Sequence, residues 1–132
     1  RKNAKGFYLY PKERPSGGAK EVNPEVYSFF GGATRKPMKA EDLVDRLALL
    51  MVNEAAWCLA EGIIDTPCDG DAGAILGLGF PPFRGGPFRH VDTTGAASIV
   101  ERMEELAERH GKRFLPAPLL VEAARSGKRF RR

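Results

Sequence analysis

An all-α fold is predicted by three features of the 132-residue sequence. Apolar residues recur at three- and four-residue spacing over 40–61 and 96–110. Glycines stand just past the ends of these runs, where helices stop. No series of alternating apolar and polar residues marks a strand. The 42% apolar and 29% charged content is that of a globular chain, and the length suits one core. No apolar run approaches the roughly 18 residues that cross a bilayer, and no leader pattern is present. Cys58 and Cys68 make no disulfide framework; Cys58 lies in an apolar helical run, so a reduced core thiol and a cytoplasmic setting are expected.

The net charge of +4 conceals a segregation. Residues 1–39 carry nine Lys/Arg against three Glu, residues 40–111 five Arg against thirteen Asp/Glu, and residues 112–132 seven Lys/Arg against one Glu. Such ends are read as solvated faces or as lying against the acidic part of the same molecule. A protein-interaction module whose basic tail (Lys128, Arg129, Arg131, Arg132) recruits an acidic partner, and a nucleic-acid-binding helical domain, are the alternatives. Neither explains the phenylalanines at 80, 83 and 88.

Taken in order, Gly6–Pro11 reads as a short extended piece and Pro15–Gly18 as a flexible turn. Pro24–Phe30 predicts a short helix with Asn23 as cap and Gly31 as stop, and its Tyr27, Phe29 and Phe30 need cover. The first long helix runs from about Ala40 to Glu61, with Glu41 and Asp42 at the positive end of its dipole and Gly62 beyond it. Apolar residues cover almost its whole circumference from Leu43 to Leu59, so it is expected to be central and buried. Asn53 and Glu54, if buried inside it, need hydrogen-bond partners.

Thr66-Pro67-Cys68-Asp69 opens a second helix, to about Leu76, with a cap, a proline in the first turn and an acid three residues on. Pro87–Val91 adds one helical turn. Ala96–His110 is amphipathic, with Ile99, Val100, Met103, Leu106 and Ala107 on one face and Glu105–Arg109 as an i,i+4 pair on the other. His110 at its C-terminus favours a positive charge. A last helix spans about Pro118 to Arg125, packing Leu119, Leu120, Ala123 and Ala124.

One stretch resists this periodicity. Leu76 to Arg89 packs four glycines, three prolines and three phenylalanines into fourteen residues. Proline removes backbone donors and glycine opens φ > 0, so a regular helix or central strand is excluded. Three rings want burial, which predicts an ordered, packed loop between helices.

No complete catalytic constellation is visible. His90 suits packing, Cys58 and Cys68 have no metal-ligand spacing, and Ser16, Ser28, Ser98 and Ser126 lack a nucleophile-elbow context. Asp69 and Asp71, flanking Gly70 early in a helix, suit capping. Gly77-Leu78-Gly79 is no dinucleotide loop, because position 82 is proline, no strand precedes it and no helix starts on it.

Leu76–Arg89, followed by Val91-Asp92-Thr93-Thr94-Gly95, together with Asn53-Glu54 and Cys58–Ile64, resembles the last domain of the multifunctional fatty-acid β-oxidation enzymes. These join an enoyl-CoA hydratase to a 3-hydroxyacyl-CoA dehydrogenase. The resemblance covers roughly residues 40–130. In that family the helical dehydrogenase C-terminal domain is duplicated, and this chain resembles the second copy. Asn3–Tyr8 resembles the Gly-Lys-Gly-Phe-Tyr ending of the first copy, and Ser126–Phe130 the same ending of the second. Residues 1–39 are thereby implied to be the end of the preceding repeat plus a linker with a short helix, and 40–132 the helical domain.

The resemblance also implies what is missing. The catalytic copy has Val-Asn-Arg where this chain has Val44-Asp45-Arg46, and an ionised Asp45 only accepts hydrogen bonds. Asp45 is thus a degenerate catalytic position. The family's His–Glu dyad and NAD-binding domain are not in this chain, so no catalytic, cofactor-binding or metal-binding residue is assigned to it, and NAD belongs to the parent enzyme. Asn53, Glu54, Phe80, Pro81, Pro82, Phe83, Gly85, Gly86 and Phe88 are candidates for repeat packing. The implied partners are the preceding dehydrogenase domains and a thiolase subunit. An apolar patch formed by Phe80–Phe88 and the helix at 40–61 implies a homodimer of the isolated chain.

Overall fold

Helix α1 (Ala40–Ala60) is the element against which the other helices of its unit pack. The computed structural model describes residues 6–10, 19–32, 34 and 37–131, and the chain divides into two units, Arg1–Pro37 and Met38–Arg132. The larger unit contains α1, α2 (Pro67–Leu78), α3 (Pro87–Thr94), α4 (Ala96–His110) and α5 (Pro118–Ser126), with single 3-10 turns at Pro82–Arg84 and Lys112–Phe114. Among the described residues there is no strand beyond one isolated bridge, Tyr8 to Val22. The fold is all-α, as the periodicity predicts.

Local chemistry sets the helix ends. The Thr66 hydroxyl accepts from the Asp69 amide at 3.2 Å, satisfying an orphan donor of α2, a cap of about 1 kcal/mol. Gly79, Gly85 and Gly127 close their helices with φ between 66° and 76°, a region costly to other residues. Leu49, Val52 and Ala56 of α1 meet Ala74, Phe80, Val91, Ile99, Met103, Leu106, Phe114 and Leu120 in one core. Phe80, Phe88 and Phe114 are fully buried, each contributing about 2–3 kcal/mol of apolar transfer.

Several expectations need correction. The stretch 76–89 is not one loop. Leu76 to Leu78 finish α2, Pro82–Arg84 is a 3-10 turn, and Pro87 opens a helix of 8 residues rather than one turn. Prolines in the first turn cost no helical hydrogen bond, which is why this is possible. Phe80 and Phe88 are buried, but Phe83 is 86% exposed. Nor is α1 buried all round: Leu47 is 71% exposed, and Leu43, Val44 and Trp57 are also open, because α2–α5 cover only part of its circumference. Cys58 is half-buried rather than a core thiol.

Glu105 does not pair with Arg109. Its carboxylate is taken by Arg102 at 2.7 Å, and Arg109 reaches Asp42 at 3.8 Å. His110 stands near Arg46, Arg109 and Arg113; desolvation and these cations lower its pKa, against the dipole expectation.

In the smaller unit, Asn23 caps the 3-10 helix Pro24–Phe30 by accepting from the Glu25 amide, and Gly31 ends it at φ 84°. Phe29 and Phe30 are exposed, contrary to the expected cover. The turn at 15–18 and residues 3–5 of the repeat-ending motif lie outside the described residues.

Candidate functional site

Two clefts open along α1, one at its N-terminal half and one at its C-terminal half. The first, the more polar of the two, holds about 310 Å³ between α1, α3 and α4. Arg102 of α4 organises it: its guanidinium donates to Asp45 at 2.6 Å, to Asp42 at 2.7 Å and to Glu105 at 2.7 Å. Asp42 and Asp45 sit three apart on α1, so one helical turn presents both carboxylates to one planar fork. These hydrogen bonds hold the guanidinium above its already high ordinary pKa. Across the cleft, Nδ1 of His90 lies 3.2 Å from the Thr94 hydroxyl and 3.5 Å from the Arg84 guanidinium. Burial and the Arg84 charge lower its pKa, with Asp45 pulling weakly the other way. A neutral imidazole packed near Phe80, at 6.3 Å between centroids, is the result.

The second cleft is an apolar hollow of about 470 Å³ between α1 and α2, floored by Leu50, Met51, Ala55, Cys58 and Ala74. Its α2 wall sets the small residues Gly70, Gly73 and Ala74 between Asp69 and Leu78. A Cβ on Gly70 would come within 2.5 Å of the Phe88 ring and 2.7 Å of Ile64, so Gly70 lets α3 approach α2. A Cβ on Gly73 or Gly77 would meet nothing within 4 Å. Close backbone packing within the domain therefore accounts for Gly70 but not for Gly73 or Gly77.

Asp71 explains how α3 is held. Its buried carboxylate accepts from the amides of Phe88 (2.7 Å) and Arg89 (3.3 Å) and from the Arg131 guanidinium (3.1 Å). Asp71 thus caps α3 rather than its own helix. Gly86, at φ 102°, leaves the room this needs, because any Cβ there would overlap the Asp71 carboxyl. Burial pushes the Asp71 pKa up, while the two amides and Arg131 pull it back.

The sequence matches the family described as 3-hydroxyacyl-CoA dehydrogenase, C-terminal domain, over residues 43–132. The chain belongs to that family. It is also 50% identical over 130 residues to the fatty acid oxidation complex subunit alpha of Shewanella amazonensis, 48% to that of Shewanella halifaxensis and 47% to that of Idiomarina loihiensis. Each alignment takes in 98% of this chain but only 18% of the relative, so the chain spans about a fifth of the length of these proteins.

Within this dehydrogenase C-terminal domain the sequence-derived candidates divide. Phe80, Gly86 and Phe88 are buried inside the domain. So is Asn53, which donates to the Leu115 carbonyl at 2.9 Å and accepts from the Ala117 amide at 2.7 Å. Glu54, Pro82 and Phe83 are exposed, with Pro81 and Gly85 half-buried. Arg84, Arg89, Phe83 and His90 border a shallow surface depression.

Arg102, Asp42, Asp71 and Asp92 were not singled out by sequence reasoning as site residues. An acid among the apolar residues of α2 was the available signal for Asp71; Arg102 gave none. Among the described residues no group of His, Cys, Asp or Glu could hold a metal ion, and no helix is long and apolar enough to cross a membrane.

Proposed function

We propose that this chain is a second, non-catalytic copy of the dehydrogenase C-terminal domain within a longer β-oxidation protein. Its role there is to pack against the preceding copy and hold the substrate cleft in shape. In this reading residues 40–132 form the copy, and 1–39 carry the end of the preceding repeat and the linker. The names of the relatives and the resemblance support a parent that oxidises 3-hydroxyacyl-CoA with NAD, hydrates enoyl-CoA, and works in the cytoplasm beside a thiolase.

The observation that carries the reading is Asp45. Where the catalytic copy has an asparagine, this side chain is a carboxylate bound to Arg102 at 2.6 Å. An acceptor already committed to a cation cannot donate to an acyl-CoA oxygen. The residues present do not fit NAD either. Gly77 and Gly79 stand at the C-terminal end of α2, where carbonyls rather than amides are free, and a pyrophosphate needs the opposite end of a helix. The open apolar hollow beside α2 supports packing as the role. Calorimetric titration of the 132-residue chain with NAD checks this: no binding heat is expected, and micromolar binding would overturn the reading.

A further inference from the structure

The C-terminal segment of the larger unit is seated by a compact device. The Phe130 ring lies 5.1 Å from the Phe88 ring, centroid to centroid. The amides of Phe130 and Arg131 donate to the two oxygens of Asp92, each at 2.8 Å. Phe88 and Asp92 are four apart on α3, so one face of one helix offers both an aromatic wall and a carboxylate. Two adjacent amides on one carboxylate are charge-assisted bonds with a defined direction.

The smaller unit holds a segment of the same pattern. Lys5-Gly6-Phe7-Tyr8 parallels Lys128-Arg129-Phe130-Arg131. Phe7 is 67% exposed, and its ring stacks on the exposed Phe30 at 6.3 Å. The backbone around it uses its carbonyls: Gly6 accepts from the Asn23 side chain, Phe7 from the Asn23 amide and Tyr8 from the Gly6 amide. The amides of Phe7 and Tyr8 are donors in none of the hydrogen bonds among the described residues. These are the counterparts of the two amides that Asp92 holds. An exposed ring gains by being covered, and the two amides beside it can exchange water for a carboxylate, as those of Phe130 and Arg131 do.

We propose that Phe7 anchors a second seat of this kind, on the domain that precedes this one. Its ring and the amides of Phe7 and Tyr8 dock on a helix bearing an aromatic residue and, four positions later, a carboxylate. The inference rests on the proposed reading of a preceding copy. Only the ring and the two amides carry over, because Tyr8 cannot repeat the Arg131–Asp71 ion pair.

Hydrogen exchange with peptide mapping on the full parent chain tests it, with thiol labelling of Cys58 measured in parallel. The Tyr8 amide is expected to exchange about a hundredfold or more slower than an unstructured amide. Phe7→Ala should abolish that protection and Phe7→Leu should keep most of it. An unprotected Tyr8 amide in the wild-type chain overturns the anchor. If Cys58, which lines the apolar hollow, is shielded in that same sample, the packing reading stands without the anchor. If Cys58 labels freely as well, both fall.

Discussion

The polar and apolar clefts of α1 differ in how completely they are satisfied. In the polar cleft three carboxylates share one guanidinium, and His90 is held neutral by burial and by Arg84. In the apolar hollow Leu50, Met51 and Cys58 line the α1 side, Gly70, Gly73 and Ala74 line the α2 side, and Leu78 at its edge is exposed. A charge cluster closed on itself has little left to offer a ligand, whereas uncovered apolar surface gains by being covered. The charge cluster is thus closed within the domain, while the apolar hollow is open to solvent, which is the surface the proposed packing would cover.

Substitutions in the hollow should produce the largest contrast. Gly70→Ala is expected to cost about 1–3 kcal/mol by forcing the Phe88 ring and Ile64 aside. Gly73→Ala, three residues along the same wall, should instead stabilise the 132-residue chain by about 0.5–1 kcal/mol, since its methyl meets nothing. Urea melts of both variants check the signs, and equal destabilisation would break the distinction between filled and open wall.

In the polar cleft, Arg102→Ala leaves Asp42, Asp45 and Glu105 facing one another. A loss of about 1 kcal/mol is expected at low salt, shrinking as salt screens the carboxylates. A loss that does not change with salt would mean that packing of the arginine stem, not charge, is what Arg102 supplies.

The smallest effect is that of pH on His90. Its folded pKa lies below the ordinary 6.5. Above pH 6.5 the imidazole is neutral folded and unfolded, so its contribution is intact. As pH falls from 6.5 toward the lower folded pKa the unfolded chain takes the proton first, and stability declines. His90→Phe should flatten that part of the stability–pH curve, and an unchanged slope would remove His90 as its source.

Much of this fold was legible because its signals are local. Thr66-Pro67 and Asn23-Pro24 announce helix starts, and Ala96–His110 follows from periodicity and Gly111. What sequence missed depends on chain distance. Arg102 meets Asp42 and Asp45 across about sixty residues, and Asp71 caps a helix that begins sixteen positions later. Phe83 and Leu47 read as core residues by type, yet both are exposed, since hydrophobicity states a preference for burial without naming what provides it. The glycine-rich stretch misled for a related reason. Proline excludes a helix interior but suits a helix start, so three short elements fit where one loop was expected.

On the proposed reading, the most direct measurement is the rate of 3-hydroxyacyl-CoA oxidation by the parent chain carrying Asp45→Asn, with its melting temperature taken alongside. This restores the amide of the catalytic copy while removing one charge from the Arg102 cluster. A kcat within about twofold of wild type, with a melting temperature lowered by a few degrees, is the expected result. A tenfold or larger change in kcat at an unchanged melting temperature would contradict a purely structural role for this domain.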